Sequence, residues 1–144
     1  MQNMLRALGD RRIALQDGKQ SQRGFTLVEL LVVVIIIGIL AGIAIPVFLN
    51  QREAAWRAEV ESDLKNAALA AETVAVANGG SYSTVTTTTI EGEGFETSST
   101  ASTLTVTSAD VDGFVLSIAN TDLGQSLAYD SEAGGIQTWS AVTP

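Results

Sequence analysis

The clearest pattern along the chain is an uninterrupted apolar run near its N-terminus. No charged side chain occurs between Leu30 and Leu49, and Glu29 directly precedes this run. At about 1.5 Å of rise per residue, a helix of this length spans about 30 Å, the thickness of the hydrocarbon core of a bilayer. A membrane-embedded segment must satisfy its own backbone groups, so the β-branched residues of the run are predicted to be helical. The run is also too long for an ordinary secretory signal peptide.

Three residues inside the run predict how it packs. Gly38 and Gly42 form a G-x-x-x-G pair that allows another helix to approach closely, although membrane helices also tolerate glycine without such a contact. Pro46 lacks an N–H group and clashes with the carbonyl of Gly42. This clash predicts a kink or a looser turn between the two residues.

Beyond the run, the periodicity becomes that of an amphipathic helix. Apolar residues recur at spacings near three and four, namely Trp56, Val60, Leu64, Ala67, Ala68, Ala71, Val74 and Ala75. This spacing forms one apolar stripe, and alternating charges from Glu53 to Lys65 indicate a solvated face. The residues Asn78-Gly79-Gly80 accept positive φ angles and predict the end of the helix. We therefore expect one helix from about Thr26 to Ala77, with an apolar half and an amphipathic half.

From Ser81 onward, alternating apolar and Thr/Ser-rich segments favour strands. The predicted strands are Thr84–Ile90, Thr103–Ser108, Gly113–Asn120, Gln125–Tyr129 and Ile136–Ser140. Short turn segments between them favour an antiparallel meander, and the apolar stripe of the helix is available to cover one face. The predicted fold class is α+β, with a long N-terminal helix packed against a small antiparallel sheet.

Charge divides the chain into a basic beginning and an acidic remainder. Residues 1–24 hold five cations and two acids, a net charge of +3, whereas the rest holds three cations and fourteen acids, a net charge of −11. A basic flank before a membrane-length segment predicts a cytoplasmic N-terminus and an outward-facing remainder. The acidity argues against nucleic acid as a direct ligand. The absence of cysteine and histidine excludes disulfides, thiol catalysis and the commonest general base.

Glu29 is the candidate for chemistry within the span. A carboxylate in a membrane costs at least about 2 to 3 kcal/mol on insertion scales, so a functional role for Glu29 is the default hypothesis. The preceding cation, Arg23, lies six residues before Glu29 and thus more than one helical turn away. Cleavage after Gly24 would give Phe25 an α-amine with a reference pKa of about 7.7 to 8.0, and this positive charge could pair with Glu29. The alternative is that Glu29 lies high enough in the membrane to stay hydrated.

The start of the span reads Arg23-Gly24-Phe25-Thr26-Leu27-Val28-Glu29-Leu30. This octapeptide closely resembles the processing and assembly motif of type IV prepilins, and the similarity continues along the helix to about Gly80. The resemblance implies cleavage between Gly24 and Phe25 by a prepilin peptidase, with N-methylation of Phe25. It also implies that Glu29 pairs with the Phe25 amine of a neighbouring subunit, while a contact within one chain stays open.

Motif and periodicity together divide the chain into four predicted parts. These are a cleaved cytoplasmic leader at residues 1–24, a transmembrane and assembly helix at 25–49, an amphipathic helix at 50–80 and an antiparallel sheet domain at 81–144. The resemblance implies a helical homo-oligomeric filament, an assembly platform with its ATPase, and transfer from the cytoplasmic membrane to the cell surface. Two departures from the family are a leader longer than is common and the absence of the C-terminal cysteine pair of many pilins.

Other candidate features have simpler interpretations. Asp110 and Asp112 could supply oxygen ligands to Ca²⁺, but residues of this kind are routine in turns, and no cofactor is expected. Tyr129 and Trp139 are expected to pack against the core or an edge. The leading hypothesis is a non-enzymatic pilin. The alternatives are a type II secretion pseudopilin or minor pilin, and a signal-anchored protein with an extracellular binding domain and an uncleaved N-terminus.

Overall fold

The structure is a computed structural model that describes residues 24–142. Its elements in chain order are helix α1 (Leu27–Ala77), helix α2 (Thr87–Gly92), and strands β1 (Ser102–Ala109), β2 (Phe114–Asn120), β3 (Gln125–Asp130), β4 (Gly135–Ile136) and β5 (Ser140–Ala141). The predicted leader lies outside the described residues, except for Gly24.

Helix α1 is continuous over 51 residues and confirms the predicted helix to within one residue at its start. It ends at Ala77, where the prediction placed its end. Gly79 and Gly80 have φ angles of 70° and 92°. The N–H of Gly80 donates a hydrogen bond to the carbonyl of Ala75 at 2.8 Å, which satisfies one of the carbonyls left open at the helix terminus.

The chain divides into two compact units, with the boundary inside α1 between Ala44 and Ile45. The large apolar side chains between Leu30 and Leu49 are largely exposed, from 48% for Val32 to 65% for Ile43. By length and composition, α1 is the one helix in the described part of the chain that could cross a membrane. It continues without a break through Pro46, and the predicted loosening there stays a prediction.

In the second unit, the apolar stripe of α1 packs against the sheet. All the predicted stripe residues are buried except Trp56, which is half-buried. The core that they form with the rest of the unit also contains Val85, Ile90, Phe95, Leu104, Phe114, Leu116, Ile118 and Leu127. The predicted α+β class, with a long helix packed on a small sheet, is therefore confirmed.

The sheet is an antiparallel meander in the order β1-β2-β3-β4, with β5 pairing further along β3. Strand β2 alternates as predicted, because Phe114, Leu116 and Ile118 are buried while the residues between them are only half-buried. A β-bulge interrupts the pairing of β1 between Val106 and Ser108. Tyr129 and Trp139 pack against the core as expected.

Two of the predicted strands are wrong. The segment Thr84–Ile90 contains the start of helix α2 rather than a strand, because Thr86 caps that helix. The segment Ile136–Ser140 is split into β4 and β5. Ile136 pairs with Tyr129 and Ser140 pairs with Ser126, so residues 137–139 lie opposite only residues 127–128 of β3 and the regular register is interrupted. The Gln137 N–H still donates to the carbonyl of Ala128 on β3 at 2.9 Å.

Candidate functional site

Helix α1 begins with a reciprocal pair of hydrogen bonds between Thr26 and Glu29. The Glu29 N–H donates to the Thr26 hydroxyl at 3.2 Å, and the Thr26 N–H donates to Oε2 of Glu29 at 2.9 Å. The Thr26 hydroxyl also donates to Oε2 at 2.9 Å. This arrangement is a capping box, in which a threonine and an acid three residues later satisfy N–H groups that have no partner inside the helix.

The capping box gives Glu29 a partner that sequence analysis did not consider. The neutral donors of Thr26, rather than a cation, bind the carboxylate of Glu29, and the Thr-x-x-Glu spacing is the sequence signal of this capping box. The bonds engage only one carboxylate oxygen. The other oxygen, Oε1, accepts no hydrogen bond from any of residues 24–142.

The predicted cleavage residues lie directly beside this box. Gly24 and Phe25 precede the first turn of α1 in irregular backbone, and Phe25 is 90% exposed. Gly24, Phe25, Thr26 and Glu29 line one open surface cavity. The structure therefore brings the predicted cleavage, methylation and assembly residues together at one helix terminus.

Gly38 and Gly42 lie on a part of α1 that no other segment of residues 24–142 covers. A Cβ atom added at either position would meet nothing within 4 Å in the described chain. The absence of a side chain at these positions is thus not required by packing inside this chain. These two positions therefore leave space for the close approach of a neighbouring helix.

Asp110 acts as a turn residue. Its Oδ1 accepts hydrogen bonds from the N–H groups of Asp112 at 2.9 Å and Gly113 at 3.0 Å. These bonds lower the pKa of Asp110 below its ordinary value, that from Asp112 most strongly. Across residues 24–142, no group of three or more acidic, histidine or cysteine side chains is placed to hold a metal ion.

A buried acid links α1 to the segment before β1. Asp63 is only 2% exposed. Its carboxylate accepts hydrogen bonds from the Ser98 N–H at 2.8 Å and from the Ser98 hydroxyl at 2.6 Å. Sequence analysis missed this contact because the two residues are separated by 35 positions.

The fold and the N-terminal site together define a class of protein. An apolar helix that leads into an amphipathic half, which a small antiparallel sheet covers, is the pilin fold. The helix begins two residues after the Phe25 of a Gly-Phe pair and carries an acid in its first turn. Residues 19–45 match the family model described as the prokaryotic N-terminal methylation motif.

Curated relatives carry similar segments. The type II secretion system core protein G of Klebsiella michiganensis is 48% identical over 46 residues, which are 32% of this chain and 32% of the relative. The type II secretion system core protein G of Escherichia coli is 44% identical over 43 residues, 30% of each chain. The type IV major pilin protein PilA of Myxococcus xanthus is 54% identical over 43 residues, 30% of this chain and 20% of that protein.

The matched segments span about a third or less of the length of these relatives. Together with the motif and the fold, these similarities support a type IV pilin-like protein. Its apolar N-terminal helix fits membrane anchoring.

Proposed function

We propose that this chain is a prepilin whose mature form, beginning at Phe25, is a structural and non-enzymatic subunit of a type IV pilus or a related filament. The observation that carries the proposal is the exposure of the apolar half of α1, which has no covering partner within residues 24–142. An exposed apolar surface that extends along the helix from Leu30 to Leu49 marks a membrane or protein interaction site. The membrane covers it first, and the helices of other subunits cover it in the filament.

The charge pattern supports a single pass with the N-terminus in the cytoplasm, since a basic flank precedes the span and an acidic remainder follows it. In that orientation the bond between Gly24 and Phe25 faces a prepilin peptidase on the cytoplasmic side. The assembly platform and its ATPase then move the mature chain from the membrane into a surface filament.

In this proposal Glu29 has two roles at one position. One carboxylate oxygen caps α1 through Thr26, and the other oxygen is available to the α-amine that cleavage creates on Phe25 of a neighbouring subunit. The uncovered Gly38 and Gly42 allow the neighbouring helix to approach closely.

A second candidate is a pseudopilin of a type II secretion system. The observation that favours it is the similarity to core protein G of such systems, at 48% and 49% identity in two Klebsiella relatives. The two candidates differ in the length of the assembly. Long sheared surface fibres that contain this chain would support the pilus, and their absence from cells that secrete normally would support the pseudopilus.

The first test is the mass of the N-terminus in membranes and in sheared fibres. We expect a chain that begins at a methylated Phe25. A membrane-anchored chain that retains residues 1–24 in cells with an active prepilin peptidase would contradict the proposal and support a signal-anchored binding protein instead.

The second test separates the two roles of Glu29. Glu29→Gln keeps an acceptor for the capping box but removes the charge, so the monomer should insert while filament yield falls at least about tenfold, as expected for the loss of a charged hydrogen bond. Thr26→Ala removes the cap but leaves the charge. The Thr26→Ala variant should therefore form filaments at most of the normal yield. A normal filament yield from Glu29→Gln would mean that assembly does not need the charge of Glu29.

A further inference from the structure

The second unit carries a groove between α1 and the loop that follows α2. The groove has a volume of about 370 Å³, and Leu69 and Ala70 line its helix side while Glu93, Phe95 and Glu96 line its loop side. Leu69 is 68% exposed, although it is a large apolar residue in a unit with a well-packed core. The groove thus combines an uncovered apolar wall with two exposed carboxylates.

The charges of the mature chain are separated along its length. Every cation after Gly24 belongs to the segment from Arg52 to Lys65, and the chain beyond Lys65 holds nine acids and no cation. The acidic groove therefore has no cation from its own loop or strands to balance it. The neutralising charge must come from the cationic segment of α1, from another molecule or from solvent ions.

One cation of that segment is available for such a contact. Arg57 and Lys65 form ion pairs with Glu53 and Glu61 at 2.9 Å and 2.7 Å. Arg52, in contrast, makes no ion pair with any of residues 24–142.

The guanidinium of Arg52 lies over the ring of Trp56 at 4.4 Å from its centroid. This cation–π contact holds the arginine beside a half-buried aromatic side chain. Arginine and tryptophan are among the residue types enriched at the energetic centres of protein interfaces.

The groove and the arginine cannot meet within one molecule. Arg52 and Leu69 lie 17 positions apart on one continuous helix, which separates them by about 25 Å along its axis. A contact between the two patches therefore requires a second chain.

We propose that this groove binds the Arg52–Trp56 pair of a second copy of the chain. The guanidinium lies between the carboxylates of Glu93 and Glu96, and the aromatic ring covers Leu69. Because the two patches are different, the contact is heterologous and repeats from one copy to the next, as an open helical assembly requires. The proposal rests on the filament proposed above and identifies one contact between its subunits.

Cysteine pairing tests the contact directly, since the chain has no cysteine of its own. The full-length double variant Arg52→Cys/Glu93→Cys is expressed in cells and oxidised mildly. Glu93 lines the same groove as Leu69, which lies about 25 Å along the helix axis from Arg52. Because the Cα atoms of a disulfide lie within roughly 7 Å of each other, a bond between the two introduced cysteines joins two copies. We expect a ladder of cross-linked chains, and none from the control Arg52→Cys/Asp122→Cys. No ladder in assembled filaments, or an equal ladder from the control, would overturn the proposal.

Charge exchange provides the second test. Arg52→Glu places like charges together, which is costly at an interface, and should reduce filament yield about tenfold or more. Adding Glu93→Lys and Glu96→Lys should restore the yield to within about threefold, whereas adding Asp122→Lys should not. Normal filaments from Arg52→Glu alone would overturn the proposal.

Membrane retention and the N-terminal mass are measured in parallel. If Arg52→Glu releases the monomer from the membrane and the exchange does not restore filaments, a lipid surface is the partner of the Arg52–Trp56 pair and the proposal is overturned. A retained leader, in contrast, indicates failure of the filament hypothesis itself. The two kinds of failure are therefore distinguishable.

Discussion

At the scale of single residues, Asp63 shows how a polar group becomes part of the core. It is almost fully buried among the apolar residues of α1, and its carboxylate accepts both the N–H and the hydroxyl of Ser98. A buried carboxylate is tolerated only when hydrogen bonds replace the water that it loses. The contact thus anchors an otherwise irregular segment to the helix.

Replacing this carboxylate should destabilise the folded chain. Asp63→Ala removes the acceptor of both Ser98 bonds, and we expect it to lower the free energy of unfolding by about 1 to 3 kcal/mol. Urea denaturation of the mature chain in mild detergent measures this change. The control is Ser62→Ala at the adjacent exposed position, which should change stability by less than about 0.5 kcal/mol. Equal effects of the two substitutions would contradict an anchoring role for Asp63.

At the scale of elements, helix α2 is a case in which a cap outweighs composition. The segment is rich in threonine and favours a strand by propensity. In the structure, the hydroxyl of Thr86 accepts the Thr89 N–H at 3.2 Å, and the hydroxyl of Thr89 accepts the Thr86 N–H at 2.8 Å. Ile90 is completely buried and holds the short helix against the core.

Loss of the cap should cost more than loss of a threonine elsewhere in this helix. Thr86→Val preserves the shape and the strand propensity of the side chain but removes the cap, and should destabilise the chain by about 1 kcal/mol. Thr88→Val is the matched control, because Thr88 is exposed and its side chain makes no hydrogen bond within residues 24–142. Denaturation midpoints compare the two variants, and indistinguishable midpoints would argue against the cap.

At the scale of the whole second unit, a row of aromatic rings connects the end of α1 to the sheet. The rings of Tyr82 and Phe114 lie 5.1 Å apart, and those of Phe114 and Tyr129 lie 5.7 Å apart, measured between centroids. The Tyr82 hydroxyl donates to the carboxylate of Glu72 at 2.9 Å. This bond ties the segment after α1 back onto the helix.

The same bond predicts how stability depends on pH. Donation to Glu72 raises the pKa of Tyr82 above its ordinary value of 10.0, because the neutral hydroxyl is the form that donates. The stabilisation is therefore complete below about pH 10 and is lost as the pH rises through the raised pKa. Tyr82→Phe keeps the ring but removes the titrating group.

Urea denaturation between about pH 8 and pH 11 measures this effect, because this range brackets the ordinary pKa of tyrosine. The stability of the wild-type chain should fall more steeply at the alkaline end than that of Tyr82→Phe. Parallel curves for the two chains would show that Tyr82 does not contribute to alkaline unfolding.

Much of the architecture could be predicted because its signals are local. The apolar run predicts a membrane-length helix whatever lies beside it, and Gly79 and Gly80 end α1 because they adopt positive φ angles. The alternation of Phe114, Leu116 and Ile118 predicted β2 for the same reason, since a strand presents every second side chain to one face. The proposed cleavage and assembly residues come from an equally compact motif.

Other features were decided only by the tertiary structure. The hydrogen bonds of Asp63 join residues 35 positions apart, and the groove at Leu69 exists because a distant loop lies beside α1. Helix α2 depends on the burial of Ile90 as well as on its cap. Sequence alone determined which segments are apolar, alternating or charged, because these are properties of neighbouring residues. Which distant residues meet was determined by folding, because burial and hydrogen bonding depend on what the chain brings together.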